Sequence, residues 1–513
     1  MSQGNLYELL VGYGANKGCS VGIETPEGHI VSYGDLDAHS ARLANLLTFC
    51  GVLPGDRVAV QVEKSSQAIC LYLACLRAGA VYLPINTAYT DEETRYFLDD
   101  AQPKVVVCTP NRSEDISRLC IRHGIAHVLT LGPAGEGSLM ANSLPLAADF
   151  PTVAVSSTDV AAILYSSGTT GKPKGVMLTH GNLASNAAAL VQAWGFTSAD
   201  VLLHALPIFH VHGLFVALHC ALMSGARMLF LPQFDAAKVC SLLPRATVFM
   251  GVPTYYTRLL AHPRLTGEVT AGMRLFTSGS APLLPDTFAQ FRQRTGHAIL
   301  ERYGLTETGM NTSNPLDGPR LPGTVGLPLP GVEVRVAGPE DQPLAAGAVG
   351  EIQVRGPNVF AGYWRRPELS AVCFTPDGFF RTGDLGRIDA DGYVSIVGRS
   401  KDLIITGGYN VYPKEVEDCI DRLVGVQESA VIGMPHPDFG EAVMAVVVPR
   451  AGATVKTGAI KTRLRGRLAN YKLPKLSVLT KELPRNAMGK VQKNRLREEF
   501  LPHWQEFVRK TQK

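Results

Sequence analysis

Residues 165–175 read YSSGTTGKPKG, a flexible run rich in Gly, Ser, Thr and Lys. Upstream, DVAAILY at 159–165 has the length and bounds of a buried strand. Downstream, VMLTHGNLASNAAALVQAW begins as a short strand and passes into a helical pattern. A strand that opens into a glycine loop offers backbone N–H groups to an anion. The spacing is not that of the G-x-x-x-x-G-K-[ST] loop. Gly168 and Gly171 stand too close, and Pro173 takes the place of the Mg-binding hydroxyl. The stretch reads as a phosphate loop of another kind.

The flanks extend that reading. RVAVQVEKS and VYLPIN read as strands, SQAICLYLACLRAGA as a helix closed by Gly79, and KVVVCT as the next strand. Such alternation predicts layered α/β architecture with mostly parallel sheet. From about residue 320 to 399, Gly and Pro increase and short strands (VEVRVA, GEIQVRG, GYVSIVG) suggest a small β-rich subdomain. GRSKD at 398–402 separates this from an α+β unit over 403–513. Its expected helices are PKEVEDCIDRL, with Pro413 at its first position, and AIKTRLRGRLANY; its expected strands are SAVIGMP and AVMAVVVPR. The reading is an N-terminal domain over 1–399, a hinge at 400–402 and a small domain over 403–513.

Composition bounds the function. A chain of 513 residues exceeds one ordinary core. With 46% hydrophobic and 18% charged residues it is globular. A net charge of +4 argues against a broad nucleic-acid surface. The ten cysteines form no C-x-x-C pair, which points to reduced thiols in the cytoplasm. No run of about 18 apolar residues and no leader pattern appear, so no membrane role is expected.

Four further stretches stand far apart: FHVHGL at 209–214, ERYGLTETG at 301–309, RTGDLG at 381–386 and PRNAMGKVQK at 484–493. Each has a plain reading alone. His210 and His212 alternate as on a strand and would be core histidines, for a metal pair lacks a third ligand. Glu307 would cap a helix after Thr306, Asp384 would cap a turn, and Lys490 would be a solvated lysine.

Together, in this order with YSSGTTGKPKG and GRSKD, the motifs resemble the adenylate-forming superfamily of acyl-CoA synthetases, adenylation domains and luciferases. The resemblance spans nearly the whole chain. It implies a large α/β domain with a β-rich subdomain and a small mobile α+β domain hinged at Lys401. It also implies use of ATP, Mg²⁺ and coenzyme A. Ser166, Ser167, Thr169, Thr170, Gly171, Lys172 and Lys174 would hold the outer phosphates. Thr306 would bind the α-phosphate and Glu307 the Mg²⁺. Asp384 would accept the ribose hydroxyls with Arg399 beside it. Tyr303 would lie against adenine, walled by Ser280, Ala281 and Pro282, with Glu301 near the exocyclic amine and Arg302 and Gly304 in the same motif. Lys490 would enter for adenylation as a compact point charge. Gly407, Gly408 and Tyr409 would line the coenzyme A tunnel.

The acid is harder to read. VYLPINTAYT, HALPIFHVHGLFVA, FMGVPTYYTRLL, MRLFTSGSAPLL, ERYGLTETGMNTSNP and GGYNVYPKEVE together resemble malonyl-CoA synthetases, whose substrates are malonate and often methylmalonate. The resemblance implies Arg274 as partner of the distal carboxylate, with His212, Ser278 and Gly279 at the pocket, and His210 as a gate. Gly279 and Gly304 would stand where other members carry bulk. Arg302 is a second candidate. Alternation along an extended 301–303 turns it away from the face of Glu301 and Tyr303, so it ranks below Arg274. Other readings keep the fold: ligation of a short, medium or aryl monocarboxylate, or loading of a separate carrier protein. A silent homologue is disfavoured by the presence of Lys490, Glu307, Asp384 and the loop.

Overall fold

The computed structural model describes residues 4–15, 18–166, 173–406, 409–437, 439–465, 467–486 and 489–511. It divides into two compact units, 1–334 with 354–380, and 335–353 with 381–513.

The first unit carries two large sheets. In the first, strands run in the order Gly362–Tyr363, Lys174–Thr179, Val160–Ser166, Val81–Pro84, Arg57–Gln61, Val105–Cys108 and His127–Thr130. From Val160–Ser166 onward the pairing is parallel, and the strands 160–166 and 174–179 on either side of the glycine run pair antiparallel. The second sheet has nine strands. Its centre, Leu300–Leu305, Leu275–Ser278, Val248–Gly251, Val201–His204, Arg227–Phe230 and Val21–Glu24, is parallel. Antiparallel partners Gly309–Ser313 and Ile30–Ser32 flank it. The helix Ser66–Arg77 is apolar all round and buried along almost its whole length. Its Tyr72 meets His219 of the helix Leu218–Ser224 at 2.8 Å. The helix after the strand Lys174–Thr179, His180–Ala193, starts at a capping box: Thr179 accepts from Asn182 N–H, and Asn182 accepts from Thr179 N–H.

The Gly/Pro-rich stretch forms the expected strands in one four-stranded sheet: Glu333–Ala337, Gly350–Arg355, Phe380–Ile388 and Val394–Arg399. Residues 335–353 and 381–399 nevertheless group with the C-terminal unit, so the units do not part at 400–402. The expected hinge lies within the second unit, on the single turn Ser400–Asp402.

In that unit Val426–His436 and Gly440–Pro449 form a long antiparallel pair, extended by Ile404–Thr406, Tyr409–Val411 and Leu476–Leu479. Alternate strand residues face two separate cores. One contains Val431, Val443, Val416 and Ile420 of the helix Pro413–Asp421; the other contains Ile432, Met444 and Trp504 of the helix Lys493–Thr511. The helix expected over AIKTRLRGRLANY stops early, spanning Thr457–Leu464. Among the described residues no helix is long and apolar enough to cross a membrane.

Candidate active site

Two of the sequence motifs meet at the end of the strand pair 160–166 and 174–179. Ser166 stands opposite Lys174 in its register, and Ser166 Oγ donates to Glu307 Oε1 at 3.4 Å. Glu307 lies on the turn between the strands Leu300–Leu305 and Gly309–Ser313 with Thr306, so the expected helix start is a β-hairpin turn. Tyr363 donates from its hydroxyl to Glu307 Oε1 at 3.0 Å, a contact the sequence did not suggest. Sheet pairing places it, since Tyr363 stands opposite Val176. Burial, then the Glu307 charge, raises the Tyr363 phenol pKa, which keeps it a donor. Lys174 Nζ lies 5.4 Å from the Tyr363 ring centre. Ser167, Thr169, Thr170, Gly171 and Lys172 lie outside the described residues.

This donor set fits a Mg²⁺ ion that arrives with a nucleotide. One carboxylate oriented by neutral hydroxyls suits a hard cation that keeps its waters and phosphate ligands. Among the described residues no cluster of three or more His, Cys, Asp or Glu forms an all-protein cage.

A second cluster gathers around Arg302. Glu301 and Arg302 point to opposite faces of their strand, as alternation requires. Glu301 accepts from Gly323 N–H at 3.2 Å, and Tyr303 is buried. Arg302 turns instead onto Gly279, where a Cβ would come within 2.4 Å of its Cζ. Glycine at 279 therefore makes room for the guanidinium, not for a longer acyl chain. Arg302 is 3% exposed, and its Nε and Nη2 have no hydrogen-bond partner. Burial lowers its pKa to about 9, with Tyr256 acting weakly in the other direction.

Both motif histidines lie near Arg302, although they are not on a strand. His210 sits in a bend, and His212 begins the π-helical turn His212–Ala217. His210 Nδ1 accepts from His212 N–H at 3.4 Å, and His212 Nδ1 lies 3.4 Å from Ser280 Oγ. Burial, then Arg302, lowers His210 to about 4 and His212 well below its ordinary value. Both are neutral near pH 7, and the positive charge of the cluster is that of Arg302. Ser280 holds φ +69°, a left-handed conformation uncommon for serine. Ser278 is buried with an unpartnered hydroxyl, Ala281 is half-buried and Pro282 exposed. Gly304 is required by its own hairpin, because a Cβ there would meet Gly309 O at 1.9 Å.

Arg274 is engaged elsewhere. It forms a two-pronged pair with Asp200, with Nε–Oδ1 at 2.6 Å and Nη2–Oδ2 at 2.8 Å. It also donates to the carbonyls of Trp194 and Gly195. Its side chain, 31% exposed, precedes the strand Leu275–Ser278, at the end away from Gly279. The expectation that Arg274 anchors the substrate is corrected: Arg274 fastens this strand to residues 194–200, and the buried arginine with uncommitted donors is Arg302.

The second unit assembles its own group. Asp384 stands opposite Arg399 in the strand pair Phe380–Ile388 and Val394–Arg399, and Arg399 Nε lies 2.6 Å from Asp384 Oδ1. The TGD motif is thus continuous strand, with Gly383 at φ +69°. Lys490 N–H donates to Asn486 Oδ1 at 2.9 Å, holding a tight turn before the helix Lys493–Thr511. Its side chain reaches the surface. Burial of the ammonium end, then Arg399 and Lys401 against the opposing pull of Asp384 and Asp402, lowers its pKa to about 8, although the residue as a whole is exposed. Burial likewise lowers Lys401. Tyr409 is exposed and stacks on Tyr471 at 4.7 Å; Gly407 and Gly408 lie outside the described residues.

Comparison with known proteins matches residues 15–364 to the AMP-binding enzyme family and residues 415–490 to the AMP-binding enzyme C-terminal domain. A feruloyl-CoA synthase from an Amycolatopsis species is 38% identical over 477 residues, 92% of this chain and 94% of the relative. The mitochondrial malonate–CoA ligase of Mus musculus is 38% identical over 492 residues, 89% of this chain and 83% of the relative. The crystal structure of ATP-bound MatB from Rhodopseudomonas palustris matches with TM-score 0.95 at 55% identity, covering 97% of this chain and 98% of that one.

Proposed function

The chain belongs to the AMP-binding enzyme family, and we propose on that basis that it is an ATP-dependent malonate–CoA ligase. The observation that carries the choice of acid is Arg302, a buried guanidinium with unpartnered donors among neutral histidines. A monocarboxylate, reacting through its only charged group, would leave that cation uncompensated. Malonate has a second carboxylate to place against it, in a charge-assisted contact.

The chemistry follows from the charges. A carboxylate repels nucleophiles and has no good leaving group. Attack of one malonate oxygen on the α-phosphorus of ATP expels pyrophosphate and gives malonyl-adenylate. The coenzyme A sulfur then attacks the acyl carbon, AMP leaves, and the thiol proton is released. The first step brings an anion to a polyanion, so positioning and charge neutralisation dominate it. Glu307, oriented by Tyr363 and Ser166, would hold a Mg²⁺ ion, whose charge would offset that of the phosphates. Thr306 and Lys174 add a hydroxyl and a cation on the same side. His210 and His212 border the acid without adding charge. Asp384 accepts the ribose hydroxyls beside Arg399, and Lys490 neutralises the developing charge in adenylation. Tyr409 contacts coenzyme A. All ten cysteines are free thiols, which suits the cytoplasm.

Pyrophosphate release with malonate, methylmalonate, succinate, butyrate and ferulate tests the choice of acid. Malonate is expected to have the highest kcat/KM. A higher value for ferulate or butyrate would overturn it.

A further inference from the structure

Lys64 belongs to none of the glycine-loop, histidine, ERYGLTETG, TGD or Lys490 motifs. It follows the strand Arg57–Gln61 of the seven-stranded sheet and is 9% exposed. Its Nζ lies 2.8 Å from His204 Nδ1, 2.8 Å from the His204 carbonyl oxygen and 4.2 Å from the centre of the Phe230 ring. His204 ends the strand Val201–His204 of the nine-stranded sheet and is buried. The contact therefore ties together the carboxyl ends of strands from two sheets, the end at which α/β folds place ligands.

The hydrogen bonds continue in one direction. His204 Nε2 lies 2.9 Å from the Gly213 carbonyl, which only accepts, so Nε2 carries the proton and Nδ1 accepts from Lys64. The next N–H along, that of Leu214, donates to the His210 carbonyl at 2.9 Å. Lys64, His204, the Gly213–Leu214 peptide and His210 thus form one chain of donors and acceptors, ending on the turn that bears His210 and His212. An amine makes both of its bonds here whether protonated or not. The turn has no slack, since a Cβ on Gly213 would sit 2.0 Å from the Pro207 carbonyl oxygen.

We propose that Lys64 and His204 are positioning residues of the acyl site, holding the His210–Leu214 turn so that His210 and His212 meet the acid in register with Arg302. The proposal rests on the reading that this turn borders the acid.

Lys64→Met keeps the bulk and removes the donors. A small misplacement of a positioned group costs about 10- to 100-fold. Lys64→Met is expected to lower malonate kcat/KM by about that factor, mainly through KM, with the Kd for Mg-ATP within about twofold of wild type. His204→Leu should do the same, and the double variant should be no worse than either alone. His204→Gln, which keeps a donor for Gly213, should recover most of the loss. Malonate kcat/KM within about twofold of wild type in Lys64→Met, equal losses of ATP and malonate affinity, or additive losses would each overturn the proposal. If Lys64→Met does not fold, the His204→Leu and His204→Gln pair decides, and equal values refute it. Wild-type turnover is the separate control. If the wild type ignores malonate, the choice of acid fails, and the same ratios are read with its preferred acid.

Discussion

Replacing Arg302 by Met gives two opposite changes in one protein. In the enzyme without substrate, the guanidinium is buried with Nε and Nη2 unpartnered, and burial brings its pKa from 12.5 to about 9. At about 1.4 kcal/mol per unit, that is a cost to folding of several kcal/mol. The folded state binds this proton less tightly than the unfolded state, so the cost is fully present below pH 9 and is relieved as pH rises toward 12.5. Methionine removes the charge with similar bulk, so the substrate-free enzyme should unfold no lower in temperature than wild type, and the expected direction is upward. With malonate the balance reverses. Truncating one member of a buried charge pair costs about 2–5 kcal/mol, or about 30- to 5,000-fold in malonate kcat/KM. Butyrate, with no second carboxylate, should lose nothing. The assay is pyrophosphate release with both acids, beside thermal unfolding without ligands. A malonate kcat/KM within about threefold of wild type, or equal loss for both acids, would refute the reasoning.

Arg274→Ala is the paired control: the malonate-to-butyrate ratio should stay within about twofold, while leaving Asp200 buried without its partner should cost about 3–5 kcal/mol in denaturant unfolding. Tyr363→Phe removes a hydrogen bond to the Glu307 carboxylate, of the kind worth about 1.5–3 kcal/mol, so a Mg²⁺ titration should show a requirement raised about tenfold with malonate KM unchanged. Lys490→Ala should slow adenylation by about 10²-fold or more and leave thioester formation from supplied malonyl-adenylate intact, which separate half-reaction assays would read. The Lys490 pKa near 8 adds a pH signature: the protonated ammonium is the active form, so adenylation kcat/KM should fall as pH rises through about 8, and Lys490→Arg should move that limb upward.

The two strands flanking the glycine run were legible because their cues are local: an apolar run, glycines and a second apolar run within 21 residues, Asp159–Thr179. The small unit's strands were legible for the same reason. The helix over AIKTRLRGRLANY was overextended because its charged residues sustain a helical pattern past Leu464, where the backbone turns away. His210 and His212 read as a strand because spacing of two mimics alternation, and nothing nearby in sequence announces a π-helical turn. The arginines show the limit most clearly. Alternation placed Arg302 opposite Glu301 and Tyr303, but its burial against Gly279, from another strand, could not be read from spacing. Arg274 looked free because its partner Asp200 lies 74 residues away. Tyr363 carries no motif at all, and only sheet pairing brings it to Glu307; Lys64 carries none either, and only its burial against His204 marks it.

The most direct test of the account is to follow the oxygen of the acid. Malonate labelled with ¹⁸O in its carboxylates, supplied with ATP, Mg²⁺ and coenzyme A, should yield malonyl-CoA, pyrophosphate and AMP carrying one ¹⁸O, because the acyl oxygen that attacked phosphorus leaves with the nucleotide. Unlabelled AMP, or ADP with the label in inorganic phosphate, would contradict it.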